Sequence, residues 1–384
     1  MTEPKRGTAP RRFALPTWGR VLLVLGLLYV FLAGVKGLEI GIKDLGSGFT
    51  DTLFEGVSNP LAGLFVGVLG TVLVQSSSVT TATIVGLVGA GTLSVESAVP
   101  MIMGANIGTT VTNTLASMGY LRRSSEFKRA FAGATMHDFF NMLSVLVLLP
   151  LEVTTRILSR TAVSISQLLR DNATIDFTKP DSPIKAAVKV PITWVKDLTG
   201  SFTADETVIG TVVLVAGLAM IFLALALITR NMRLLVLSRI ERSLNAALGR
   251  GAGIPAMALG LVITVAVQSS SITTSVLIPL IAAGVLSLRN AFPVTLGANV
   301  GTTVTALLAS MATDGNEGLA IALTHTLFNL LGILIWYPIP RLRAVPLRLA
   351  ERLAELAEVR KSLVLVYVVG LFILVPIIGV LILR

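Results

Sequence analysis

Two polar phrases recur in this 384-residue chain inside sequence that is otherwise apolar. The first is Gln75-Ser76-Ser77-Ser78, repeated as Gln268-Ser269-Ser270-Ser271. The second is Gly104-Ala105-Asn106-Ile107-Gly108-Thr109-Thr110, repeated as Gly297-Ala298-Asn299-Val300-Gly301-Thr302-Thr303. Both pairs are offset by 193 positions (268 − 75 and 299 − 106), and Gln75 to Met118 matches Gln268 to Met311 at 25 of 44 residues without a gap. The residues common to both copies are concentrated in hydroxyls, amides and glycines. Hydroxyls donate to an oxyanion and also lend oxygen to a cation, while an amide has separate donor and acceptor ends. Glycines let a helix unwind, exposing N–H groups that favour anions and carbonyls that favour sodium. The chemistry on offer is binding of a mixed set of ions. Close helix packing by small residues is the plainer explanation, but two separate clusters, each duplicated at fixed spacing, argue for a substrate or ion site.

The charges that are missing narrow this further. From Pro60 to Tyr120 the only charged residue is Glu96, and from Gly251 to Met311 it is Arg289. No arginine fork or phosphate-binding lysine stands at the centre. A multivalent anion held there needs its charge balanced by co-bound cations, which is a physical reason for cotransport. His137 and Asn141, like His325 and Asn329, share a helix face at i and i+4. Two histidines without further ligands make a metal site a poor reading; cross-helix hydrogen bonds are expected instead. Asp138 has no acidic counterpart in the second copy and lies in an apolar stretch. An intramembrane carboxylate is a functional candidate by default, unless it sits at a helix end and pairs with Arg129.

Lipid is the medium that must surround these groups. The chain is 53% hydrophobic and 14% charged, with mean hydropathy +0.83. Apolar runs near twenty residues recur, enough to cross about 30 Å of hydrocarbon as helix. The net charge of +10 is explained by basic residues at the ends of the runs, so nucleic acid is not an expected partner. The absence of cysteine excludes disulfides and thiolate chemistry. Hydropathy places spans at Arg20–Gly37, Ser97–Met118, Phe127–Leu151, Val208–Thr229, Ser287–Met311, Leu319–Tyr337 and Leu363–Leu383, with hairpins at Pro60–Gly91 and Ile254–Gly284. Serine-rich turns at membrane depth are tolerated where protein or a watery cavity satisfies the backbone.

The N-terminal tail (Lys5, Arg6, Arg11, Arg12), Leu121–Arg129, Arg230–Arg250 and Arg341–Lys361 are basic and are assigned to the cytoplasm. The first hairpin then opens outward and the second inward. The predicted fold is an all-α polytopic membrane protein, an inverted-repeat secondary transporter with two re-entrant helical hairpins and two broken transmembrane helices. Its segments are 1–58 (tail, first span, interfacial stretch), 59–151 (repeat 1), 152–206 (polar external connector), 207–250 (span and basic helix), 251–340 (repeat 2) and 341–384 (amphipathic surface helix and last span).

The duplicated phrases, with Ser125-Glu126-Phe127-Lys128-Arg129-Ala130-Phe131-Ala132-Gly133-Ala134-Thr135-Met136-His137-Asp138-Phe139-Phe140-Asn141 and Trp336-Tyr337-Pro338-Ile339-Pro340, resemble the type II sodium-dependent phosphate cotransporters. The resemblance implies import of HPO4 2− with sodium as co-substrate and no cofactor. It places Gln75, Ser76, Ser77, Ser78, Asn106, Gln268, Ser269, Ser270, Ser271 and Asn299 at phosphate, and Gln75, Thr109, Thr110, Asp138, Gln268, Thr302 and Thr303 at sodium. Electrogenic members carry an Ala, Ala, Asp pattern matched by Ala132, Ala134 and Asp138, implying three sodium ions per phosphate. Lack of the cysteines of the animal proteins' external loop suggests a bacterial member in the inner membrane. The rivals are export, transport of another oxyanion such as arsenate, a membrane hydrolase, and a phosphate sensor. Oligomeric state is not legible.

Overall fold

A computed structural model describes residues 16–46, 48, 57–172, 183–248 and 253–383. The basic N-terminal tail, Glu55, residues 173–182 of the connector and Arg250 lie outside the described residues. All regular structure among the described residues is helical. Six helices are long and apolar enough to cross a bilayer: Trp18–Leu45, Ser124–Thr155, Glu206–Arg233, Leu288–Ser310, Glu317–Trp336 and Ser362–Leu383. The protein is an all-α polytopic membrane protein.

The first span, α1 (Thr17–Leu45), carries Lys36 and runs two turns further than apolar content predicts, through Glu39 and Lys43. These charges are tolerated because they are paired. Lys36 Nζ lies 3.0 Å from Glu39 and 2.7 Å from Asp314, and Lys43 is 2.6 Å from Glu39. Lys185 reaches Asp314 at 3.5 Å. Burial works to raise the Asp314 pKa, but the Lys36 contact and charge outweigh it and hold the carboxyl below the ordinary value. Burial pushes the Lys185 ammonium down, with Asp314 opposing. The cluster ties α1 to the 311–316 loop and to the connector.

Repeat 1 consists of a hairpin, α2 (Pro60–Val74) and α3 (Ser77–Gly89), then α4 (Val95–Gly108), α5 (Val111–Ser117) and the span α6 (Ser124–Thr155). Two connector helices follow, α7 (Ile157–Asn172) and α8 (Pro183–Gly200), where the sequence suggested only a polar link. Their apolar residues recur at helical spacing, which a polar average conceals. Glu152, buried at the end of α6, accepts from the Leu158 N–H at 2.7 Å and so caps α7. After α9 (Glu206–Leu248), repeat 2 gives α10 (Ile254–Val267), α11 (Ser270–Ser275), α12 (Leu277–Ala282), α13 (Leu288–Ser310) and α14 (Glu317–Trp336). The amphipathic α15 (Pro340–Val359) packs on α6, with Lys128 bridging to Glu355 at 3.0 Å. The last span, α16 (Ser362–Leu383), contains a π-helical stretch, Val366–Leu374.

Each hairpin's first arm touches its partner helix backbone to backbone. A Cβ at Gly67 would overlap the Met101 carbonyl and one at Gly104 the Leu64 carbonyl; in repeat 2, Gly260 and Gly297 stand in the same relation to Val294 and Met257. Small residues permit this approach between membrane helices. The hairpins enter from opposite ends of α6, whose 32 residues span about 48 Å. The base of the first (Pro60, Ser94) shares a cavity with Glu152 and Arg156 at one end of α6. The base of the second meets the other end, where Arg129 Nε donates to the Ala282 carbonyl at 2.7 Å. The repeats are therefore inverted, as the charge distribution predicts.

One expectation needs correction. The broken helix of repeat 1 is broken, at Thr109–Thr110, but its counterpart α13 runs unbroken from Leu288 to Ser310. Repeat 2 has instead a mild irregularity in its hairpin, between α11 and α12 at Val276, where the backbone stays right-handed helical (φ −67°, ψ −25°) and the Val276 N–H still reaches the Ile272 carbonyl at 3.2 Å. Pro279 stands there where repeat 1 has Gly86, and a proline ring clashes with the carbonyl four residues back.

Candidate substrate and ion site

Both Gln-Ser-Ser-Ser phrases form the same turn. Gln75 adopts φ 56°, ψ 27° and Gln268 φ 56°, ψ 30°, left-handed conformations that L side chains rarely take. The next serine is extended in each, and its hydroxyl caps the second arm: Ser76 Oγ accepts from Val79 N at 3.3 Å, and Ser269 Oγ from Ile272 N at 3.4 Å. Each glutamine folds its NH2 back onto its own helix end, to the Val72 carbonyl at 2.6 Å and the Val265 carbonyl at 2.7 Å. Its carbonyl oxygen then faces away and accepts from a threonine, Thr112 at 3.2 Å or Thr305 at 2.8 Å. Thr112 and Thr305 are equivalent in the duplication and went unnoticed in the sequence, although they sit two residues beyond each Thr-Thr pair.

The turns meet. Ser78 Oγ lies 3.5 Å from the Gln268 carbonyl oxygen, and beside this contact Asn113 Nδ2 donates to Thr274 Oγ1 at 2.6 Å while Ser275 donates to Asn113 Oδ1 at 2.9 Å. Repeat 2 has Ala306 where repeat 1 has Asn113. Ser77, Ser78 and Ser270 are buried, Ser271 half-buried and Gln75 exposed. A cavity of about 470 Å³ borders the turns, lined by Thr112, Ser271, Ser275 and Pro279 and reaching Arg233 on the basic face.

The histidines and asparagines cross between repeats. His137 Nε2 of repeat 1 is 2.5 Å from Asn299 Oδ1 of repeat 2, and His325 Nε2 of repeat 2 is 3.4 Å from Asn106 Oδ1 of repeat 1. Asn299 Nδ2 donates to Asn141 Oδ1 at 2.8 Å, and Asn141 donates to the Asn106 carbonyl at 2.8 Å. Asn106 Nδ2 donates to the Ile102 carbonyl at 3.0 Å. The side-chain amides of Asn106 and Asn299 are thus already engaged. The expected cross-helix bonding is present, and among the described residues no group of three or more His, Cys, Asp or Glu could hold a metal ion.

Thr109, Thr110, Thr302 and Thr303 each return their hydroxyl proton to a carbonyl of their own helix, at 2.7 to 3.1 Å. Thr110 also reaches the carboxylate of Asp138. Asp138 is fully buried, and its Oδ2 accepts from Tyr367 at 2.8 Å and lies 3.4 Å from Thr114 Oγ1. Its Oδ1 has no hydrogen-bond partner. The alternative of a helix-end carboxylate paired with Arg129 is overturned, because Arg129 is bonded to the base of the second hairpin. Tyr367 arrives from the last span, 229 positions away, and no sequence spacing links the two.

Opposed half-helix turns rich in hydroxyls, meeting between inverted repeats, are an arrangement that secondary transporters also use. Comparison with known proteins gives the family. The chain matches the Na+/Pi-cotransporter family over residues 30–166 and 220–341 and belongs to it. It is 34% identical to the sodium-dependent phosphate transport protein 2B of Pongo abelii and 33% identical to that of Homo sapiens, in each case over 93% of this chain and 64% of the relative. It is also 33% identical to the sodium-dependent phosphate transport protein 2A of Rattus norvegicus, over 93% of this chain and 66% of that one. The chain thus spans just under two thirds of the length of these relatives. No solved structure matches.

Proposed function

We propose that this protein is a sodium-coupled symporter that imports inorganic phosphate as HPO4 2− by alternating access, with net inward movement of positive charge, in the inner membrane of a bacterium. One observation carries the reading: two inverted Gln-Ser-Ser-Ser turns, built alike, meet tip to tip beside a cavity that opens on the basic face. The hydroxyls of Ser76–Ser78 and Ser269–Ser271, with the N–H groups at the start of α3, serve the anion. The carbonyl oxygens of Gln75 and Gln268 each keep acceptor capacity beyond the threonine bond and serve sodium, with Thr109, Thr110, Thr302 and Thr303. Asn106 and Asn299 act on phosphate through the turns they position. A buried carboxylate oxygen without a partner is costly, and a sodium ion between Asp138, Thr110 and Thr114 would relieve it.

With no fixed cation in the turns themselves and a single arginine, Arg233, lining the cavity beside them, the charge of divalent phosphate must be balanced by sodium, so each ligand tightens the other by the same factor. The test is uptake of radiolabelled phosphate into proteoliposomes under an inward sodium gradient. Uptake that requires sodium, and falls to background when choline replaces it, is expected. Sodium-independent uptake, flux only outward, equal competition by arsenate, or turnover of a chromogenic phosphoester would contradict the reading.

A further inference from the structure

Outside the central site, a second cavity of about 450 Å³ lies at the base of the second hairpin. Four arginines line it: Arg289, Arg341, Arg343 and Arg348. No Asp or Glu does, and none of the four takes part in a salt bridge among the described residues. Arg343 stacks over the Tyr337 ring at 5.1 Å, which fixes its guanidinium. Three helices begin at this cavity. Gly253 is the N-cap of α10, Arg289 belongs to the first turn of α13, and Arg341 to the first turn of α15. Each N-terminus adds partial positive charge. Four unpaired guanidiniums around one cavity repel one another unless an anion is present, and planar guanidinium forks match phosphate oxygens.

The opposite face supplies an internal comparison. The cavity at the base of the first hairpin, about 390 Å³, is lined by Glu96 and Glu152 with a single arginine, Arg156. Glu96 is the residue equivalent to Arg289. Anion chemistry is therefore built on one face only, the basic one. The rim points to the anion's source: Ile254 and Ile339, each adjacent to a lining residue, are 76% and 53% exposed, and an amphipathic helix forms one wall. A phosphate that carries acyl chains satisfies both rim and interior, where free phosphate leaves the isoleucines bare. Basic pockets between membrane helices on the cytoplasmic side suit such headgroups.

We propose that this cavity binds the phosphate of an anionic phospholipid from the cytoplasmic leaflet, bridging the start of the second hairpin and the first turn of α13 to α15. A bound headgroup would hold the base of that hairpin against α15, which rests on α6.

The test uses the purified full-length protein, titrated with dioleoylphosphatidylglycerol or dioleoylphosphatidylcholine and read by native mass spectrometry. Phosphatidylglycerol should be retained in preference. Combined Arg289→Gln, Arg341→Gln and Arg343→Gln should weaken it on the order of a hundredfold, while Glu96→Gln on the other face should leave retention unchanged. If loss of the Arg343 stack impairs folding, Arg289→Gln with Arg348→Gln removes only exposed groups and should still weaken retention about tenfold. Equal retention by wild type and the folded double variant would overturn the proposal. So would protection against heat by inorganic phosphate in sodium-free buffer that depends on these arginines, without any preference between the two lipids.

Discussion

The two repeats share their turns to within a few degrees yet break their helices in different places. Repeat 1 is interrupted after its hairpin, at Thr109–Thr110, and repeat 2, more mildly, within its hairpin, at Val276. The breaks face each other, joined by Asn113 of the first repeat holding Thr274 and Ser275 of the second. What duplication preserved is the Gln-Ser-Ser-Ser turn. What diverged is the helix beside it, through Asn113 against Ala306 and Pro279 against Gly86. The proposed alternating access requires the halves to trade conformations around a fixed site, and the unlike interruptions beside the turns make the two halves structurally unequal. The cavity beside the turns runs along α11 and α12.

The Asn113 junction is where a constraint is expected to have the largest effect. The chain contains no cysteine, so Asn113→Cys with Ser275→Cys creates a lone pair of thiols where the side chains touch. Oxidative cross-linking should reduce phosphate uptake to the level of protein-free vesicles, and reductant should restore it. Unimpaired uptake by the cross-linked protein would mean that the breaks do not move against each other.

A second asymmetry is Asp138, present in repeat 1 only. Three sodium ions with divalent phosphate carry one net positive charge, which the membrane potential drives by about 2.3 kcal/mol per 100 mV. Asp138→Gly should keep sodium-dependent uptake but lose its response to a valinomycin-set potassium potential. Uptake per folded protein that stays voltage-sensitive would remove the carboxylate from the ion path.

Replacing the proline of repeat 2 with the residue repeat 1 uses, Pro279→Gly, should let α11 and α12 run as one helix. A several-fold lower turnover is expected, with slower hydrogen exchange around Val276. Unchanged exchange there would show that the break has another origin.

The smallest effect is expected at the charge cluster of Lys36, Glu39 and Asp314. The Asp314 pKa lies below the ordinary carboxylate value of 3.8, so its ionised form favours the folded state. That contribution is full above the ordinary value and is lost as pH falls through the lowered one. Asp314→Asn should lower the thermal midpoint modestly at neutral pH, and the gap to wild type should close in acid. A gap independent of pH would assign the loss to packing.

Much of this architecture is legible in the residues because lipid permits few solutions. In lipid only helices and closed barrels satisfy the polar backbone, and apolar runs near twenty residues select the helix, so the spans, hairpins and inversion follow from hydropathy and charge. The Gln-Ser-Ser-Ser turns stand out for the same reason. Features that depend on partners distant in sequence are not legible. The extension of α1 to Leu45 rests on Asp314, 278 positions from Lys36, and Tyr367 reaches Asp138 from the last span. The continuity of α13 is hidden because its Gly-Thr-Thr phrase equals that of the helix that breaks; the nearest polar difference lies three residues beyond, at Ala306 rather than Asn113. Local pattern shows where a helix can break, and tertiary partners decide whether it does.

The central claim is that the two turns make one site. Sodium-driven phosphate uptake by Gln75→Ala and by Gln268→Ala, each normalised to folded reconstituted protein, tests it most directly. Both variants are predicted to fall to background, since each removes one half of a shared site. Uptake near the wild-type level in either one would contradict the claim.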